Sequence, residues 1–286
     1  LVKVEGSVFE RNVAEYHGGV IFNVQTFELY GCEFINNMSK NSNGGVISNN
    51  FDEYGPSEND NCLIEDCSFT NNISMGAGAV LDNYKGFLTF RNCVFDKNTA
   101  NSAGVIINGD RIDLAECVFN NNIAKGYFSE GVGGAICNVG EMNVAGCTLT
   151  DNYAEHIAGA IHDEGTLKIT GCIFRTNNVG KGRKCAINNW EGSMSIEDSK
   201  FGEEIPETLL NRCELEIAGC EFAAEGIILN ESTVNVFERE YDSLKNIISG
   251  GNIHIIDFKR NAITFGDLKE MIEGADNELI LERDVL

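Results

Sequence analysis

Eleven cysteines, four histidines and 44 acidic residues are the side chains of this 286-residue chain that could do chemistry. A zinc site asks for C-x-x-C pairs or close Cys/His sets, and none occurs. Instead Cys32, Cys67, Cys93, Cys117, Cys147, Cys172 and Cys220 each stand two residues before a large apolar residue. On a strand that spacing puts both side chains on one face. It predicts small, buried, reduced thiols rather than ligands or nucleophiles. Strand-spaced neighbours fall within the Cα range of a disulfide, but their side chains point in parallel, and an odd total leaves at least one thiol unpaired. General acid–base cleavage needs carboxylates gathered with a base or cation. The nearest grouping is Asp82, Asp110, Arg111, Asp113, Glu141, His162 and Glu164, scattered over turns and outward positions. Asp52, Glu53, Glu58 and Asp60 offer at most weak Ca²⁺ binding, and an acidic loop is the plainer reading. No catalytic, metal or cofactor set follows.

The elements that position these residues recur. The stretch 158–177 reads as small residues, a polar turn at 163–165, an alternating strand with Leu167 and Ile169 on one face, a corner at Gly171, a second alternation at Cys172 and Phe174, and a closing Asn177. That is three short period-2 strands divided by Gly, Asn and Asp corners. The apolar residue of the closing F-x-x-N piece recurs at Phe9, Phe34, Phe69, Phe95, Phe119, Leu149, Phe174, Phe201 and Phe222, usually about 25 residues apart. One such unit cannot bury its own apolar face, so copies must stack. The expected fold is all-β, a right-handed parallel β-helix of about nine or ten rungs. At about 4.8 Å per rung its length is roughly 45 Å.

Stacking turns repeated positions into columns. The Phe column is core. Asn12, Asn37, Asn72, Asn98, Asn122, Asn152 and Asn177 form one amide column. Asn23, Asn49, Asn83, Asn108, Asn138, Asp163 and Asn189 form another. Asn tolerates left-handed backbone and bonds its local backbone, and stacked amides bond along a ladder. The third position of the G-G motif is Val20, Val46, Val80, Val105, Ala135, Ala160 and Ala186. Strict alternation points it outward; either the backbone bends there or a small apolar strip faces a partner.

Two steps of the repeat are long, 34 to 69 and 119 to 149, and hold insertions at 51–61 and 125–132. Phe51, Tyr54, Tyr127 and Phe128 stand in them as candidate contact residues, because loops carry function on rigid scaffolds. Tyr84 and Trp190 share a column after the second Asn column and could stack on sugar rings or on their own neighbours. Repeats are regular over 1–200 and irregular over 201–258. Within 259–286, Asp267 and Glu270 have capping-box spacing ahead of a Leu268, Met271, Ile272 stripe. A helix there, then a strand at 279–281, caps the solenoid or opens a following module. A net charge of −23 opposes binding to nucleic acid or anionic membranes. No run is apolar enough to span a bilayer. The chain opens partway through a rung and reads as a segment of a longer one with flanking modules.

The paired motifs G-G-[AV]-I and F-x-x-N resemble the repeats of chlamydial polymorphic outer-membrane proteins and the adhesin-like β-helix proteins of methanogenic archaea. The resemblance covers roughly 1–200 and 260–286. It implies a non-catalytic adhesin-like segment at the cell surface or secreted, with surface glycans or proteins of a host or neighbouring cell as partners. The competing reading is a polysaccharide lyase or glycosidase with an acidic groove. The N-T-D, G-H-G and R-I-K motifs of polygalacturonases are absent.

Overall fold

The computed structural model describes residues 1–50, 61–126, 131–182, 184–202, 209–222, 228–237, 248–249, 252–256 and 279–281. The chain coils as a parallel β-helix: every strand pairing is parallel and joins residues one turn apart. One turn runs Arg111–Ala115, Val118–Asn120, Ile123–Ala124, Ile136–Asn138. Each of these lies in its own sheet, and among the described residues the four sheets contain 12, 9, 7 and 10 strands in the order the chain meets them. Four strands per turn replace the expected three. The extra one is usually two residues long, as at Ile123–Ala124, and then too short to display alternation.

The corners explain the composition. At three corners of the turn a single residue takes the left-handed region. Glu116 (φ 56°), Asn121 (φ 55°) and Ala103 (φ 50°) represent the three columns. The first-column asparagines do not themselves adopt it; the preceding residues, such as Asn36, Asn71 and Lys97, do. The fourth corner is closed by side chains. Asn108 Oδ1 accepts from the Asp110 N–H at 3.3 Å, and Asn211 accepts from Cys213 at 3.4 Å.

The left-handed residue of the G-G motif also settles its third position. Val105 N–H and Ile106 N–H both donate to the Ala135 carbonyl, at 2.8 and 3.1 Å. Two successive donors on one acceptor mean the backbone bends, so both side chains turn inward. Val46, Val80, Val105, Ala135, Ala160 and Ala186 are buried in the core. The bend holds, and these six positions leave no strip for a partner. A Cβ on Gly104, the second residue of the motif, would sit 1.9 Å from the Gly134 carbonyl oxygen.

The main core runs along the coil, with two small clusters beside it around Ala103 and Ala158. Its spine is the Phe column: Phe9, Phe34, Phe69, Phe95 and Phe119 stack ring on ring, with centroids 4.5–5.1 Å apart. Leu149 interrupts the stack, which resumes through Phe174, Phe201 and Phe222. Phe90 meets Phe69 and Phe95 edge-on. In the irregular segment Leu215, Val234 and Ile253 keep strict register, and Leu279–Leu281 pairs with Ile253–Ile255 as the last strand of the first sheet. The helix expected before it lies outside the described residues.

Candidate functional site

Inside the coil the repeated polar residues are consumed by the fold. At the corner between the second and third sheets, Asn72 Nδ2 donates to Asn98 Oδ1 at 3.0 Å and to the Phe34 carbonyl at 3.0 Å. The Asn72 backbone N–H donates to the same Oδ1 at 2.9 Å. The pattern repeats at Asn37, Asn98, Asn122 and Asn152, and Asn177 closes it on the Leu149 carbonyl. Every one of these amides is buried, so the ladder satisfies groups that water cannot reach.

The cysteine column does the same at the preceding corner. Cys117 donates its thiol to the Ala115 carbonyl at 3.3 Å, and its backbone N–H meets Cys147 Sγ at 3.4 Å. Ser199 occupies this column one turn past Cys172 and makes both bonds, to the Glu197 carbonyl at 2.8 Å and from the Cys172 N–H at 3.1 Å. Ser7 opens the column and donates to the Glu5 carbonyl at 3.1 Å. Sequence reasoning passed over both serines because it tracked the element, sulfur, rather than the hydrogen bond. All eleven cysteines are free thiols, nine of them buried. The neighbouring Cys117 thiol, followed by burial, pushes Cys147 up to about 12. Burial pushes Cys220 up to about 11. Such thiols stay protonated and are poor nucleophiles.

The acidic grouping is spread along the coil and engaged locally. Asp110 Oδ2 accepts the Gly86 N–H at 2.7 Å, and Asp113 accepts the Asn143 amide at 2.7 Å. Arg111 lies over the Phe87 ring at 4.4 Å, and Glu141 is exposed. Asp82 and His162 share the outward column of the fourth sheet, with Ile107 and Cys137 between them. Three rungs, about 14 Å, therefore separate acid from base. Burial raises the Asp82 carboxyl above its ordinary range. His162 is buried, with Nδ1 2.8 Å from Asn188 Nδ2 and Nε2 3.0 Å from Glu164 Oε1. Cys137, His162 and Asn188 thus stack on successive rungs, which the sequence shows only once the register is known. Burial pushes Cys137 up to about 12, so this thiol–imidazole–amide column has no ready nucleophile. Among the described residues no group of three or more His, Cys, Asp or Glu is placed to hold a metal ion.

The expected contact residues divide. Phe51, Tyr54, Tyr127 and Phe128, with the carboxylates Asp52, Glu53, Glu58 and Asp60, lie outside the described residues. Tyr84 is 71% exposed. Trp190 is half-buried, and the Arg212 guanidinium covers one ring face at 3.8 Å while pairing with Glu231 at 2.9 Å. Four rungs, about 19 Å, separate the two aromatic residues, so each stands alone.

Coil, ladders and stacked rings define a parallel β-helix repeat protein. The repeat has a family: residues 116–139, which span Cys117, F-x-x-N and G-G-A-I, match the Chlamydia polymorphic membrane protein repeat. The chain is similar to those proteins in this repeat. Neither the curated proteins nor the solved structures gave a match.

Proposed function

We propose that this chain is a non-catalytic, adhesin-like β-helix segment that works as a stiff rod at the cell surface or in a secreted protein. Its partners are surface glycans or proteins of a host or neighbouring cell. The observation that carries the reading is the fate of the repeated residues: rings, thiols and amides face inward or close corners, and the repeat is of the polymorphic membrane protein kind. Contact then falls to residues that break the period. The insertions at 51–61 and 125–132 supply Phe51, Tyr54, Tyr127 and Phe128, and the exposed Tyr84 adds a ring on the same coil. Trp190 is the weaker candidate, with one face taken by Arg212.

The test is a glycan array run beside a reducing-sugar assay, first on the chain and then on a variant lacking residues 52–60. Deleting a loop changes closure cost only slowly, and Asn49 and Asn83 hold the rung on either side at 2.9 Å. Binding without new reducing ends, lost on deletion while the circular dichroism spectrum is unchanged, is the expected result. New reducing ends would establish the lyase or glycosidase instead.

A further inference from the structure

The second amide ladder has one missing bond. From rung to rung Nδ2 donates to the next Oδ1: Asn83 to Asn108 at 2.8 Å, Asn108 to Asn138 at 2.8 Å, Asn138 to Asp163 at 2.7 Å. Above the gap Asn189 donates to Asn211 and Asn211 to Asn230, both at 2.8 Å. Asp163 and Asn189 are paired in register, yet Asp163 as an ion has no hydrogen to give. Its Oδ1 is used, by Asn138 and by the Gly165 N–H at 3.3 Å. Its Oδ2 is buried without a partner, and so is Oδ1 of Asn189. These are the two atoms between which every neighbouring step has an N–H···O bond. Two buried acceptors there would each forfeit solvation and repel one another.

We propose that Asp163 is held as a neutral carboxylic acid whose Oδ2–H donates to Asn189 Oδ1, so that one proton completes the ladder. The surroundings agree. Burial pushes the carboxyl up to about 6 against the Asn138 and Gly165 hydrogen bonds, with the Glu164 charge adding to burial. His162 faces the other side of the strand, bonded to Glu164 and Asn188. Arg212, on the turn above, is engaged with Trp190 and Glu231. Burial first, then the Glu164 charge, pushes the Cys137 thiol up, and burial, then the Glu191 charge, pushes the Cys213 thiol up, so neither thiol brings a negative charge to Asp163.

The sign follows from linkage. Below about 3.9 the unfolded and folded chains both hold the proton. Between there and about 6 only the folded chain keeps it, so stability falls as pH rises; above about 6 the penalty of the buried ion is complete. The joint between these rungs is therefore sealed in mildly acidic medium and weakened at neutral pH. Asp163→Asn supplies a permanent donor in the ladder's own chemistry.

Two measurements test this. Carboxyl-carbon NMR of aspartate-labelled wild-type chain should show one aspartate titrating near 6, and that signal should be absent from D163N. In thermal melts D163N should exceed wild type at about pH 8, the gap closing toward about pH 4. No aspartate titrating above about pH 5, or a gap that does not change with pH, overturns the proposal. Where D163N fails to fold, Asp82→Asn removes the other carboxyl raised by burial, and loss of the signal near 6 in that variant overturns the proposal.

Discussion

At the residue scale the columns carry the argument, and two substitutions separate packing from hydrogen bonding. Phe119 is fully buried between Phe95, at 4.5 Å, and the smaller Leu149. Phe119→Ala should cost about 3–5 kcal/mol in denaturant melts, because the ring leaves a cavity that rung spacing cannot close. An unchanged midpoint would remove the Phe column from the core. Cys117 asks a finer question. Cys117→Ser should cost less than about 1.5 kcal/mol, since Ser199 already makes the same two bonds in the same column. Cys117→Ala nearly matches serine in volume but removes the donor to the Ala115 and Phe90 carbonyls. It should cost more than the serine, and the opposite order would mean that apolar burial, not the hydrogen bond, holds this column.

At the element scale the sequence shows period and strand faces well, and corners badly. Alternation at Leu167 and Ile169, or at Cys172 and Phe174, is written in residue types, and the structure buries all four. The third sheet is not written so. A two-residue strand such as Ile123–Ala124 has one outward and one inward side chain and no period to read. The G-G bend was open because strict alternation and a left-handed kink predict opposite faces for Val105. The shared Ala135 carbonyl decides it, and a hydrogen bond between turns has no signature within one. Asp163 shows the same limit. In sequence it is a conservative replacement in an Asn column; only the register with Asn189 shows that the replacement removes a donor. The insertions at 51–61 and 125–132 are written as breaks in the period, whereas the isolation of Tyr84 from Trp190 required counting rungs.

At the scale of the whole molecule, the solenoid is a one-dimensional stack in which each turn touches only its neighbours. Its stability is then close to a sum of turn and interface contributions, which makes length an adjustable quantity. Thr99 pairs with Ile123 and Ala100 with Ala124, so excising residues 99–122 joins Asn98 to Ile123 with the column sequence intact. Asn98 then donates to Asn152 as it now does to Asn122, and Phe95 takes Leu149 as its neighbour in the second sheet. The shortened chain should fold, keep its β circular dichroism per residue, and melt cooperatively at a modestly lower temperature. Excising residues 99–110 should not be tolerated. That cut removes the third and fourth strands of one turn, Thr99–Ser102 and Ile106–Asn108, and sends Asn98 directly into Arg111. The first sheet would follow the second with no path across the core, leaving Ser74 and Leu81 of the adjoining turn without the partners they now have in Ala100 and Ile106. If the half-turn deletion folds as well as the whole-turn deletion, register is not what holds this molecule together. If neither folds, the turns are not independent units and the additive description fails.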